Sequence, residues 1–141
     1  MITTPGKALG DLAMKLAMSV APETSSAYVM ANTGMIAVLL QAIGQDSERA
    51  VANRLQDIAE IKVLFTLITD TEDEAPNPGA REAFLERVPP SMHLSDVTMV
   101  HAEGLNLLIE LHAWAEANNA ELNQSIWTFL LNHTERDKFE W

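Results

Sequence analysis

The chain of 141 residues contains no cysteine. Disulfides, thiol nucleophiles and cysteine-ligated zinc or iron–sulfur sites are therefore excluded. The same absence fits a reducing compartment, and we expect a cytoplasmic protein. Near the N-terminus, Lys7, Asp11 and Lys15 interrupt the apolar stretch that a secretory signal needs.

Basic residues are few. The chain has nine Lys and Arg against 20 Asp and Glu, a net charge of -11, and no Lys or Arg lies between Val88 and Glu135. Nucleic acids are held mainly by basic side chains that neutralise phosphates, and anionic membrane surfaces attract the same side chains. We therefore expect neither a nucleic acid nor a membrane as partner, and we interpret the acidity as favouring solubility.

No charged residue occurs from Thr24 to Gln45. This length would span a bilayer, but polar side chains recur throughout it, and each would need a hydrogen-bond partner in hydrocarbon. A nearly uncharged helix with such interruptions is typical of the central helix of a soluble bundle. The interrupting residues are Ser25, Ser26, Asn32, Thr33, Gln41 and Gln45.

Motifs of catalysis and metal binding are also missing. There is no Gly-x-Ser-x-Gly turn and no glycine-rich phosphate loop. His101 and His112 share one helix face but lie about 16 Å apart along the axis, too far for one ion. No histidine follows a glutamate by three residues, as in carboxylate-bridged di-metal bundles. We predict no catalytic residue, no metal and no cofactor.

Prolines, glycines and capping residues divide the chain into helices, which predicts an all-α fold in one domain of residues 1–141. Gly44 is predicted to end a helix as a C-cap. An acidic loop is expected at 70–79 and a fraying tail at 134–141. The bundle is predicted to have five to six helices: four long core helices near 6–20, 23–43, 47–69 and 95–117, a short helix from Pro78 to about Val88, and a C-terminal helix from about Glu121.

Small residues recur every three positions on the second predicted helix, at Ala31, Gly34 and Ala37. They form a shallow strip on which another helix can lie closely. Gly34 costs about 1 kcal/mol relative to alanine in a helix interior, so close packing within or between chains is the expected compensation. The apolar helix surface exceeds what one small bundle hides, and we predict a homodimer.

Two classes of function remain open. The first, which we favour, is a non-enzymatic interaction module that presents a face to a protein partner. Asp96, Glu103 and Glu110 stand seven residues apart on one predicted helix and form an acidic stripe, the candidate partner-binding surface.

The second class is a bundle with a pocket for an apolar small molecule, which would include an enzyme whose site residues are dispersed. Its candidate ligand-binding residues are Tyr28, Asn32, His101 and His112, polar groups within apolar helices. Buried polar groups need hydrogen-bond partners, and a ligand can provide them.

Overall fold

The computed structural model describes residues 3–68 and 74–140, and these residues contain helices and no strand. The all-α prediction is confirmed, with five α-helices among the described residues where five to six were predicted. A π-helical turn at Leu16–Val20 and a 3-10 turn at Ala21–Glu23 connect the first two. The helices are α1 (Pro5–Lys15), α2 (Ala27–Thr66), α3 (Pro78–Leu85), α4 (Leu94–Asn118) and α5 (Ala120–Asp137).

The start of α1 follows the predicted capping pattern. The Thr4 side chain accepts a hydrogen bond from the backbone N–H of Lys7 at 3.3 Å, and Pro5 occupies the first turn, where its missing N–H has no consequence. The α-helix ends at Lys15 rather than near residue 20, because the following five residues widen into the π-helical turn.

Helix α2 is one continuous helix of 40 residues where two helices were predicted. Gly44 does not cap a helix, since no described glycine has a positive φ. Its role is spatial: a Cβ on Gly44 would lie 3.0 Å from the carbonyl oxygen of Gly6 on α1. The glycine that seemed to end a helix instead allows α1 to approach α2.

The chain divides into two compact units. The first unit comprises the residues up to Ala50 together with Phe139 and Glu140, and the second extends from Val51 to Lys138. Every buried hydrophobic residue in the described part of the first unit is an alanine: Ala13, Ala21, Ala37 and Ala50.

The second unit contains the large hydrophobic core, formed by the later part of α2 and by α3, α4 and α5. Helix α5 contributes Leu122, Ile126 and Phe129, so it closes the core of its own unit. The Phe84 ring covers Gly104 of α4, where an added Cβ would lie 2.5 Å from Cζ of that ring.

Of the tail predicted at 134–141, residues 134–137 belong to α5, and residue 141 lies outside the described residues. Helix α5 extends to Asp137, and Glu140 then pairs with Gln45 of α2 within the first unit. The Gln45 side-chain amide donates to the Glu140 carbonyl at 2.6 Å and accepts from its N–H at 2.9 Å. The Arg49 guanidinium lies 5.4 Å from the centroid of the Phe139 ring. Of the predicted acidic loop, residues 70–73 lie outside the described residues.

Candidate functional site

The second unit holds a buried polar cluster centred on Asp57, whose exposed fraction is 1%. A buried carboxylate is costly unless it is paired, and α4 and α5 supply the partners. His101 Nε2 lies 2.8 Å from Asp57 Oδ2, and His133 Nδ1 lies 2.7 Å from the same oxygen. Because an ionised carboxylate only accepts hydrogen bonds, both rings donate an N–H to it.

Arg136 completes the cluster from the last turn of α5. Its guanidinium donates two hydrogen bonds to the carboxylate of Glu60, both at 2.9 Å, and a further one to Asp57 Oδ1. Asn53 donates from its side-chain amide to the Arg136 carbonyl at 3.0 Å and anchors this turn. The planar guanidinium therefore joins two carboxylates of α2 with the geometry that arginine favours.

The pairing fixes the charge of Asp57. Burial alone would raise the pKa of this carboxyl, but hydrogen bonds from His101, Arg136 and His133 outweigh burial and lower the pKa to about 2. For Arg136, burial alone would lower the pKa, but its hydrogen bonds to Glu60 and Asp57 raise the pKa above the usual value. Asp57 and Arg136 are thus both ionised at neutral pH.

Ring packing fixes the orientation of the two imidazoles. The Phe129 ring stacks on His133 with centroids 5.9 Å apart and an interplanar angle of 16°. The rings of His101 and His133 lie 5.9 Å apart at 39°. His101 is buried, whereas the His133 side chain is 26% exposed, so solvent reaches the cluster on the side of His133.

Sequence reasoning missed most of this cluster. Of the cluster residues, the sequence indicates only His101 as a candidate site residue. Helical spacing indicates that Asp57 is buried, because Asp57 lies one turn before the buried Ile61 and therefore on the same face of the helix. On α5, His133 follows the buried Phe129 by one turn in the same way.

The residues proposed for a small-molecule pocket are divided between the two units. Tyr28 and Asn32 are exposed in the first unit, Tyr28 to 80%. In the second unit His101 bonds Asp57, while His112 Nε2 lies 3.0 Å from Asn123 Oδ1 and its ring meets that of Trp127 edge-on. Both histidines have protein partners, so neither needs a ligand to satisfy it.

The three acids of the predicted stripe also have partners within the second unit. Glu103 pairs with Arg87 at 3.1 Å, and Asp96 accepts from the Ser91 hydroxyl at 2.6 Å. Glu110 accepts from the side chain of Asn77. The stripe is therefore engaged in contacts of its own unit.

The first unit presents an unusual amount of apolar surface. A groove of about 310 Å³ is lined by Ala13 of α1, Ala17 of the π-helical turn, Gly34 and Ala37 of α2, and Glu140. A Cβ on Gly34 would meet no atom within 4 Å. What we term the N-terminal apolar surface consists of this groove together with twelve exposed hydrophobic residues: Leu12, Met14, Met18, Val20, Tyr28, Val29, Met30, Met35, Ile36, Val38, Leu39 and Ile43.

Among the described residues, α2 is the one helix that is long and apolar enough, by length and composition, to cross a membrane. Only 11% of its most apolar window is buried within the protein. Such a helix is physically compatible with a protein partner or with a bilayer. In a bilayer, the polar side chains along it would need hydrogen-bond partners within hydrocarbon.

Comparison with protein families, with curated proteins and with solved structures finds no match. No relative therefore transfers a function to this chain.

Proposed function

We propose that this protein is a non-enzymatic interaction module whose N-terminal apolar surface binds a second copy of the chain. The observation that carries the proposal is the contrast within the described part of the first unit, where the twelve large hydrophobic residues of the N-terminal apolar surface are exposed and the buried hydrophobic residues are all alanines. Monomeric proteins rarely expose contiguous apolar patches larger than a few hundred Å². Covering such surface contributes about 25 cal/mol per Å².

The surroundings of Gly34 favour a helix of a second copy as the structure that covers the N-terminal apolar surface. A glycine in a helix interior costs about 1 kcal/mol relative to alanine, and no described residue comes within 4 Å of a Cβ at Gly34 to compensate for this cost. The glycines at the α1–α2 crossing, Gly6 and Gly44, do have such close neighbours. A symmetric dimer places the same strip on both sides of the interface, so that two shallow surfaces meet.

Charge distribution supports the same occupant. By sequence, the first unit has three basic and five acidic residues, a net charge of -2, and the second unit has the remaining -9. Two apolar surfaces with so little charge can associate without strong repulsion. A basic partner finds little charge on this surface to bind.

The alternative to a second copy is a lipid bilayer that covers the N-terminal apolar surface. It would leave Asn32 and Gln41 to find hydrogen-bond partners in hydrocarbon, whereas a protein interface allows them to pair or to reach water at the rim. A pocket for an apolar small molecule, the other open class, has less support, because His101 and His112 are bonded to protein atoms.

Sedimentation velocity at micromolar concentration tests the proposal. We expect the wild-type protein to be a dimer and Gly34→Glu to be a monomer, because the variant places a charge on the strip. The open space around Gly34 means that the new side chain fits the monomer. Gly79→Glu is the matched control: Gly79 also lies in a helix with nothing within 4 Å, and this variant should remain dimeric.

Two results would overturn the proposal. A wild-type monomer, or a Gly34→Glu variant that stays dimeric, shows that this surface does not bind a second copy. Flotation of the wild-type protein with phosphatidylcholine vesicles, abolished in Gly34→Glu, would identify the bilayer as the occupant instead.

A further inference from the structure

We propose that Asp57, His101 and His133 form a binding site for one divalent transition-metal ion of the zinc type. This inference is independent of the proposed self-association, which involves other residues. It rests on the convergence of two imidazoles and one carboxylate from α2, α4 and α5, in a place where the carboxylate is almost completely buried.

The spacing of the donor atoms fits a single ion. One ligand atom from each of the three side chains lies within 4.8 Å of the others. Tetrahedral zinc with bonds of about 2.0–2.1 Å holds its ligand atoms roughly 3.3 Å apart. The two nitrogen–oxygen distances are now 2.8 and 2.7 Å, so the rings need to move away from Asp57 by only about half an ångström.

The surroundings resemble the outer shell of a metal site. Arg136 holds Asp57 by Oδ1 and leaves Oδ2 directed at the histidines. When His133 binds an ion through Nδ1, its remaining N–H is on Nε2, which lies 3.9 Å from Asp137 Oδ2. A carboxylate behind a ligating histidine is a recurrent feature that orients the ring and increases its basicity.

The charge balance favours a cation despite the nearby arginine. With both imidazoles neutral, Asp57 and Glu60 carry two negative charges against the single positive charge of Arg136. Asp137 adds a further negative charge next to His133. The local field is therefore negative, and a divalent ion offsets it.

The donor set determines the class of ion. Two nitrogens and one oxygen suit Zn²⁺ and neighbouring transition metals, whereas Ca²⁺ and Mg²⁺ prefer all-oxygen sites. Three protein ligands leave a fourth position for water or an exogenous ligand. The partly exposed His133 provides the route by which the ion and that ligand enter.

The site has no local sequence motif, which explains why histidine spacing predicted no metal. Asp57 and His101 are 44 residues apart, and Asp57 and His133 are 76 apart. His112, which shares a helix face with His101, is not part of the site, and the second histidine, His133, lies on α5.

Calorimetric titration of chelator-treated full-length protein with Zn²⁺ tests the proposal, with Co²⁺ as a spectroscopic probe. We expect one ion per chain and the visible bands of four-coordinate Co²⁺. His133→Ala should weaken binding by more than about 100-fold, and Asp137→Asn by about 10-fold, the effect typical of an outer-shell carboxylate. His112→Ala is the matched control and should bind as the wild type does, because that ring pairs with Asn123.

Nitrogen-detected NMR of the wild-type histidines supplies a test that needs no variant, should His133→Ala fail to fold. Zn²⁺ is expected on Nε2 of His101 and Nδ1 of His133. The proposal is overturned if wild-type protein binds no Zn²⁺ at micromolar concentration, if binding survives in a folded His133→Ala, or if the ion occupies other histidine nitrogens.

Discussion

Gly6 and Gly44 face each other where α1 crosses α2. A Cβ on Gly6 would lie 2.8 Å from the Gly44 carbonyl oxygen, and a Cβ on Gly44 would lie 3.0 Å from the Gly6 carbonyl oxygen. Each of these obstacles is backbone, which cannot rotate away as a side chain can, and at Gly6 the Glu48 side chain lies closer still, with its Cγ at 2.6 Å. The separation of the two helices is therefore set by the absence of side chains at these two positions.

Gly44→Ala is expected to destabilise the protein by about 1–3 kcal/mol, the usual cost of overpacking, because α1 must shift to admit the methyl group. Urea denaturation followed by circular dichroism measures the change. Gly79→Ala is the control, since a Cβ there meets no described atom within 4 Å and Gly79 lies outside the surface proposed to bind a second copy; it should leave the stability unchanged or increase it by up to about 1 kcal/mol. Equal effects from the two substitutions would contradict this account of the crossing.

In the second unit, Gly104→Ala should be destabilising for a different reason. The added Cβ would lie 2.5 Å from Cζ of the Phe84 ring, so the loss, about 1–3 kcal/mol, arises from displacing an aromatic side chain. Phe84→Leu removes the ring atoms that clash. A double-mutant cycle should then show that Gly104→Ala costs less in the Phe84→Leu background, and strict additivity would refute the contact.

Arg136→Gln is expected to destabilise the metal-free protein by about 3–5 kcal/mol, because it leaves the buried carboxylate of Asp57 without its cationic partner. Arg87→Gln is the matched control. It removes an ion pair with Glu103 in which the side chains are 43% and 45% exposed, and it should change stability by no more than about 0.5 kcal/mol. Chemical denaturation in chelator, at neutral pH, compares the two variants.

Acid stability should report the ionisation of Asp57. The pKa of its carboxyl is lowered from 3.8 to about 2 in the folded protein. A lowered folded-state pKa stabilises the protein above the unfolded-state value, and this contribution is lost as the pH falls from about 4 towards 2. The shift corresponds to about 2 kcal/mol.

Denaturation of the metal-free protein across this pH range measures the loss. Asp57→Asn provides the comparison, because it has no carboxyl to titrate at this position. The difference in unfolding free energy between the wild type and Asp57→Asn should shrink by about 2 kcal/mol as the pH falls from 4 to 2. A difference that stays constant with pH would contradict the role of Asp57.

Local signals in the sequence were sufficient for the fold class and for helix starts such as Thr4-Pro5, because capping and helical periodicity depend on residues within one or two turns. They failed at Gly44. A helix C-cap and a close helix crossing both require a residue without a side chain, and only the backbone conformation or the presence of Gly6 distinguishes them.

The polar cluster was beyond such signals for a related reason. A charged residue on a helix is normally solvated, and Asp57 is buried because its partners arrive from helices distant in sequence. Arg136 falls in a segment whose alternating charges suggested fraying, yet its pairing with Glu60 and Asp57 holds that turn in place. A polar cluster formed by residues of several helices can be identified only when the packing of those helices is known.

The pairing of Gln45 with Glu140 has a consequence for synthesis of the protein on the ribosome. The first unit needs a residue made 95 positions after the side chain that binds it. At about 5–20 residues per second, roughly 5–20 s pass before the tail arrives. During that interval the apolar helices emerge without it, next to other nascent chains on the same messenger RNA. Chaperone capture and premature pairing of neighbouring chains therefore compete with completion of this unit.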